Sequence, residues 1–111
     1  MDDDLKILSD IYDELREFCQ YACKDCYIDK IKRKYNIEET NIYCSALYII
    51  ITLLGDNQDS INYYLNSVAK LRKICEDEMD RDCYNCKYNN SLHTRIPCYG
   101  YTIGMALLRE I

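Results

Sequence analysis

The chain has 111 residues, with 19 acidic and 14 basic side chains and a net charge of −5 at neutral pH. This length corresponds to one domain, and Leu, Ile, Val and Phe supply about a quarter of the residues, more than a disordered chain contains. The negative charge disfavours tight binding to nucleic-acid phosphates, which depends on clustered Lys and Arg. A mimic of nucleic acid would need a denser acidic field. We therefore expect a single helical domain, residues 1–111, with a protein partner rather than a nucleic acid.

The N-terminal residues and the longest apolar run predict a cytoplasmic protein with no membrane contact. Met1 is followed by three aspartates, the opposite of the positively charged start of a signal peptide. The apolar run 46–54 is far shorter than the roughly 20 residues of a membrane span. In a reducing cytosol, cysteine pairs are more often metal ligands than disulfides. If Met1 replaces a removed leader, the alternative is a secreted domain with four disulfides.

The first predicted helix covers residues 2–35, which contain neither Gly nor Pro. Its acidic residues lie early and its basic residues late, in agreement with the helix dipole. An amphipathic seam recurs at steps of three and four residues, and it packs either inside the monomer or across a dimer interface. The seam consists of Leu5, Leu8, Tyr12, Leu15, Cys19, Ala22 and Cys26.

The second predicted helix begins at a capping box formed by Asn36 and Glu39, and it ends at Leu54 before Gly55. It is apolar almost all round, so we expect it to be the central, most buried element. A third helix follows the polar turn 56–60. Its apolar face is predicted to hold Ile61, Leu65, Val68, Leu71, Ile74, Cys75 and Met79.

The last third of the chain changes character. Residues 82–98 lose the helical period and are rich in Asn, which predicts a loop. Residues 99–111 then form a short helix, in which Gly100 and Gly104 either weaken the helix or allow close packing. Its inward residues are predicted to be Tyr101, Met105, Leu108 and Ile111. The predicted fold class is therefore all-α, a small four-helix domain with a cysteine-rich metal-binding loop before the last helix.

Three of the eight cysteines form the pattern Cys83-x2-Cys86-x11-Cys98, the knuckle loop 83–98. A two-residue gap lets both sulfurs point at one ion, and tetrahedral zinc needs four ligands. Cys98 begins the last helix, where the positive helix N-terminus favours a thiolate. For the fourth ligand we favour Cys75, eight residues before Cys83, over His93, the only histidine. The predicted zinc ligands are Cys75, Cys83, Cys86 and Cys98.

The same four cysteines, spaced x7, x2 and x11, resemble the loop that holds a [4Fe–4S] cluster in some DNA-repair glycosylases. The resemblance covers the last third of the chain. The basic surface and the helix-hairpin-helix motif of those enzymes are not evident here, so only the cofactor class carries over. A [4Fe–4S] cluster is thus the alternative cofactor.

A second group, Cys19-x3-Cys23-x2-Cys26, matches the spacing of the radical-SAM cluster motif. That family builds its site on a long βα barrel, which 111 helical residues cannot supply. On a continuous helix the three thiols share one face and could bind a second metal with Cys44. The competing interpretation is that these cysteines are small buried hydrophobes that continue the seam of the first helix.

No sequence motif indicates catalysis, so we expect no enzyme. A Gly-rich phosphate loop, HExxH and G-x-S-x-G are all absent. Four of the 12 tyrosines surround the knuckle, and tyrosine is enriched in protein interfaces. They are Tyr84, Tyr88, Tyr99 and Tyr101.

These features predict a small intracellular, zinc-stabilised protein-interaction or regulatory module. Small acidic proteins of this kind are frequent among phage and mobile-element accessory proteins that inhibit a host factor. The alternative is an iron–sulfur protein that senses redox state or transfers electrons. A third interpretation is a small nucleic-acid-binding zinc module, whose affinity would fall steeply with salt.

Overall fold

A computed structural model of the protein describes residues 3–19, 26–38, 43–78 and 96–110. All the regular secondary structure in these ranges is helical, which confirms the all-α prediction. A π-helical segment, Ile74–Glu78, directly follows the helix that ends at Lys73. The five α-helices of the described ranges are α1 (Asp3–Cys19), α2 (Tyr27–Tyr35), α3 (Cys44–Leu54), α4 (Gln58–Lys73) and α5 (Cys98–Glu110).

The predicted helix over 2–35 is wrong, because two separate helices occupy that range. α1 ends at Cys19, and Cys26 has extended backbone angles (φ −72°, ψ 141°) just before α2. In a continuous helix with about 100° per residue, Ile28 would point roughly 200° away from Leu8. Both side chains are buried, Leu8 completely and Ile28 at 2% exposure. The second helix therefore brings an out-of-phase apolar pair, Ile28 and Ile31, to the same core.

Asn36 ends α2 instead of starting the next helix, so the predicted capping box is wrong. Its backbone is left-handed (φ 54°, ψ 43°), and its N–H donates to the carbonyl of Lys32. Asn is favoured both at helix starts and in left-handed C-terminal positions, so the residue type alone does not distinguish them. The next helix, α3, begins only at Cys44. Glu39 lies outside the described residues.

The prediction that the central helix is the most buried element is confirmed by α3. Seven consecutive residues from Ser45 to Ile51 are buried, and α1, α2, α4 and α5 all pack against this helix. Gly55 ends it as predicted, with φ +98° and an N–H that donates to the carbonyl of Ile51 at 2.8 Å. That positive φ is a conformation that glycine adopts without steric cost.

The two glycines of α5 allow it to pack closely and in parallel against α3. A Cβ atom at Gly100 would lie 2.6 Å from Ser45 Oγ, and one at Gly104 would lie 2.7 Å from Leu8 Cδ2 and 3.2 Å from Ile49 Cγ2. The order Ser45, Ile49 along α3 matches the order Gly100, Gly104 along α5, so the two helices run in the same direction. The close-packing interpretation of these glycines is confirmed.

Two predicted helix faces are correct in part. In α4, Ile61, Val68 and Leu71 are buried as predicted, but Leu65 is 37% exposed and Tyr64 is fully buried in its place. In α5, Met105 is buried, Tyr101 and Leu108 are half-buried, and Ile111 lies outside the described residues. Neither Ile103 nor Leu107 was predicted to be buried, and both are.

Candidate metal centre

Cys26 directly precedes α2, and the other four described cysteines also lie at helix ends. Two lie at helix starts: Cys44 begins α3 and Cys98 begins α5. Two lie at or beyond C-terminal ends: Cys19 ends α1 and Cys75 follows α4 in the π-helical segment. We call this region, defined by Cys19, Cys44, Cys75 and Cys98, the cysteine end of the bundle.

The backbones next to Cys44 and Cys98 are joined by stacked tyrosine rings. The rings of Tyr43 and Tyr99 are almost parallel (3°), with their centroids 3.9 Å apart. Arg72, near the end of α4, donates from Nη2 to the Tyr43 hydroxyl at 3.0 Å, and it also hydrogen-bonds to Tyr99. Three helix ends thus meet at this group, which we call the Tyr43–Tyr99–Arg72 cluster.

The cluster lies near Cys75, and its surroundings keep the Tyr99 phenol neutral by raising its pKa. Burial raises the pKa of Tyr99 well above its usual range, and the hydrogen bond to Tyr43 and the nearby Cys75 thiol act in the same direction. The hydrogen bond to Tyr43 raises the pKa of Arg72, so its guanidinium keeps its charge. A fixed positive charge here would offset part of the negative charge that metal-bound thiolates carry.

Tyr64, on α4, hydrogen-bonds to the residue that directly precedes α3. Its hydroxyl accepts a hydrogen bond from the Tyr43 backbone N–H at 2.6 Å. Burial raises the pKa of Tyr64 to about 12. The sequence interpretation missed the roles of Tyr43 and Tyr64, although one signal was present: Tyr43 and Tyr99 are each adjacent in the sequence to a cysteine.

A cavity of about 310 Å³ opens beside the cluster and is shared by Cys19 and Cys44. The other side chains along its wall come from α1, α3 and the start of α5: Tyr12, Leu15, Arg16, Tyr43, Ser45, Pro97 and Tyr99. Two members of the second predicted cysteine group therefore face one cavity. Cys26 does not continue their helical face, because its backbone is extended, and this part of the prediction is wrong. Cys23 lies outside the described residues.

Only half of the predicted zinc ligand set falls within the described residues. Cys75 lies near Tyr99 in space, and Cys98 directly precedes Tyr99 in the sequence. Cys83, Cys86 and the alternative ligand His93 lie outside the described ranges, as do Tyr84 and Tyr88. Within those ranges, no three His, Cys, Asp or Glu side chains gather as a metal site, and no disulfide joins two of the five cysteines. The zinc ligand set therefore stays a prediction.

Comparison with known proteins supplies no relative. No protein family profile, curated protein or solved structure matches the chain. Among the described helices, none combines the length and the hydrophobicity needed to cross a membrane. Function is therefore inferred from the geometry of the molecule.

Proposed function

We propose that the protein is a small cytoplasmic protein-interaction or regulatory module whose cysteine end holds a structural zinc ion. The observation that carries the proposal is that Cys75 lies near Tyr99, the residue that directly follows Cys98. Cys83 and Cys86 would complete the ligand set. A zinc ion bound by these four residues ties the end of α4 to the start of α5.

The composition of the ligand set supports a structural rather than a catalytic metal. Structural zinc sites use four protein ligands, whereas catalytic zinc keeps one position open for water or substrate. Four thiolates leave no open position. Cys98 also lies in the first turn of α5, where the helix dipole stabilises negative charge.

The interaction role rests on tyrosine and on the overall character of the chain. Tyr99 and Tyr101 are half-buried next to Cys98, so a metal that fixes the start of α5 also fixes their positions. Tyrosine gives a large contact area at low entropic cost. We further propose that the partner is a host factor inhibited by this protein, as phage and mobile-element accessory proteins do. That step rests on small size and acidity.

Elemental analysis and a visible spectrum test the metal proposal on protein purified anaerobically without a metal-affinity step. We expect one zinc per chain and no colour. Cys75→Ser and Cys98→Ser should each lower the zinc content, and so should Cys86→Ser. The matched control is Cys26→Ser, which removes a half-buried thiol outside the ligand set. Metal-free wild-type protein, or equal zinc in all variants, refutes the proposal.

The second candidate function is an iron–sulfur protein for redox sensing or electron transfer. It is favoured by the presence of Cys19 and Cys44 at the same end of the bundle as Cys75 and Cys98, since a cluster needs several thiolates. Iron with acid-labile sulfide and a brown absorbance in the same preparation would replace zinc with this chemistry.

A further inference from the structure

A second cavity, of about 340 Å³, lies between α1, α2 and α3 and is separate from the cysteine end. Its walls combine tyrosine rings, carboxylates and a short apolar floor. They are Glu14, Tyr27, Tyr48, Ile51, Thr52 and Asp56, and we call this site the Tyr27–Tyr48 groove. None of these residues is a predicted zinc ligand, so the groove is considered separately from the metal proposal.

Two tyrosine rings form a corner of the groove. The centroids of Tyr27 and Tyr48 are 6.2 Å apart and the ring planes meet at 87°. Tyr48 is almost completely buried, while Tyr27 is 42% exposed, so Tyr27 offers a ring surface to a ligand from solvent. The face of an aromatic ring is negative and attracts a cation that lies within about 6 Å of its centroid.

The groove carries two carboxylates, each held by a tyrosine hydroxyl. The Tyr48 hydroxyl donates to Glu14 Oε1 at 2.9 Å, and the Tyr35 hydroxyl donates to Asp56 Oδ1 at 2.6 Å. The Tyr35 hydrogen bond lowers the pKa of Asp56, which keeps this carboxylate ionised. Lys34 already pairs with Asp56 at 3.3 Å. A carboxylate accepts several hydrogen bonds, so Glu14 can hold Tyr48 and a ligand N–H at the same time.

The two helices that flank the groove differ in charge. α1, which supplies Glu14, carries six acidic and two basic side chains, whereas α2, which supplies Tyr27, carries one acidic and four basic side chains. Attraction of a cation is therefore expected at the α1 wall, where the Glu14 carboxylate lies, rather than over the whole groove. Arginine fits the walls better than lysine, because its planar guanidinium stacks on a ring while its N–H groups reach a carboxylate.

We propose that the Tyr27–Tyr48 groove binds an arginine side chain of a partner protein, stacked on Tyr27 and hydrogen-bonded to Glu14. This inference rests on the protein-interaction part of the proposed function and names the partner chemistry. It does not depend on zinc.

The test is a titration of the full-length protein, followed by NMR of the tyrosine rings and backbone amides. The probe is N-acetyl-arginine methylamide, and the matched control is N-acetyl-citrulline methylamide, which has nearly the same shape but no charge. We expect the arginine probe to shift the Tyr27 and Tyr48 signals and to saturate in the millimolar range, as befits a single side chain. The citrulline probe should bind at least about tenfold more weakly, since a hydrogen bond to a charged group exceeds a neutral one.

Two variants and one control locate the binding site. Glu14→Gln keeps an acceptor for the Tyr48 hydroxyl but removes the charge, and should weaken the arginine probe about tenfold. Tyr27→Leu removes the exposed ring but leaves the Glu14–Tyr48 hydrogen bond, and it should also weaken binding of the arginine probe. This variant tests the proposal even if Glu14→Gln does not fold. Glu17→Gln removes one exposed charge from the same helix outside the groove, and should change binding less than about twofold.

Several outcomes would overturn the proposal. These are equal binding of both probes, unchanged affinity in Glu14→Gln or Tyr27→Leu, or shifts confined to other surfaces. Tighter binding of free putrescine than of the blocked arginine would point to a small-molecule cation instead of a protein. If zinc-loaded protein does not bind the arginine probe, the groove proposal is wrong and the metal proposal is unaffected. Binding of the probe by Cys98→Ser protein that has lost zinc would, in contrast, support the groove proposal and show that it does not depend on zinc.

Discussion

Replacing Gly104 with alanine tests the close packing of α5 against both α1 and α3. The added Cβ would lie 2.7 Å from Leu8 Cδ2, 3.0 Å from Leu8 Cδ1 and 3.2 Å from Ile49 Cγ2. Carbon atoms attract one another best at about 3.5–4.0 Å, so all three contacts are repulsive. Leu8 and Ile49 are fully buried, which leaves neither side chain open space to move into.

Two opposing effects decide the sign of the change. Alanine in a helix interior is favoured over glycine by about 0.8–1.0 kcal/mol. Overpacking a well-filled core costs about 1–3 kcal/mol. We expect the second effect to win, so that G104A lowers the free energy of unfolding by roughly 1 kcal/mol. Leu8→Ala removes two of the three close contacts, at its own cost of about 2–5 kcal/mol. In that background only the 3.2 Å contact to Ile49 Cγ2 remains, so G104A should no longer destabilise the protein and should stabilise it by less than about 1 kcal/mol.

The assay is urea unfolding of the wild type, both single variants and the double variant, followed by circular dichroism at 222 nm. Ala106→Gly measures helix propensity alone, because Ala106 is an exposed position in the same helix. If Leu8→Ala does not unfold cooperatively, Leu8→Val replaces it as the milder truncation. Stabilisation by G104A in the wild type, or additive effects in the double variant, would refute the close approach of the three helices.

Three further predictions concern buried hydroxyls and a helix cap. Tyr64→Phe removes the acceptor for the Tyr43 N–H and should lower the free energy of unfolding, measured in urea, by about 1–3 kcal/mol; an unchanged value would contradict this hydrogen bond. Asn57→Ala removes the side chain that accepts from the Ser60 N–H, at a cost of about 1 kcal/mol, whereas Asn57→Asp should keep most of it. Burial raises the pKa values of Tyr48 and Tyr64 from 10 in the unfolded chain to about 12 in the folded chain. Between these pH values the phenols ionise only in the unfolded chain, so the free energy of unfolding should be constant with respect to these groups below pH 10 and should fall between pH 10 and 12. Denaturant midpoints that do not change over this interval would contradict the burial of these phenols.

The choice between Tyr64 and Leu65 shows where hydrophobic periodicity stops being informative. Both residues fit a helix face that includes Ile61 and Val68, and leucine is the more apolar of the two. Tyr64 is buried instead because its hydroxyl satisfies the Tyr43 N–H, a residue 21 positions away. Hydrophobic spacing within one helix cannot predict a hydrogen bond to a residue outside that helix.

In the candidate site as well, the local sequence pattern predicted the helix positions of the cysteines but not the contacts between distant residues. Hydrophobic periodicity placed Cys98 at the start of the last helix and Cys75 near the end of the helix before it, and both positions are confirmed. The stacking of Tyr43 on Tyr99 joins residues 56 positions apart, and no local rule indicates it. The break before α2 was also hidden, since residues 2–35 contain no Gly or Pro to mark it.

The parallel course of α3 and α5 affects how the chain reaches its folded state. Ile49 and Gly104 are 55 positions apart, so the contact that completes the core requires closure of a long loop. Folding rates fall as such distant contacts increase, and this protein should fold more slowly than an up-and-down bundle of equal size. During synthesis α1 and α3 leave the ribosome before α5 exists. The parts of Leu8 and Ile49 that α5 buries are then exposed to solvent, and we expect the growing chain to be most prone to aggregation until α5 is made.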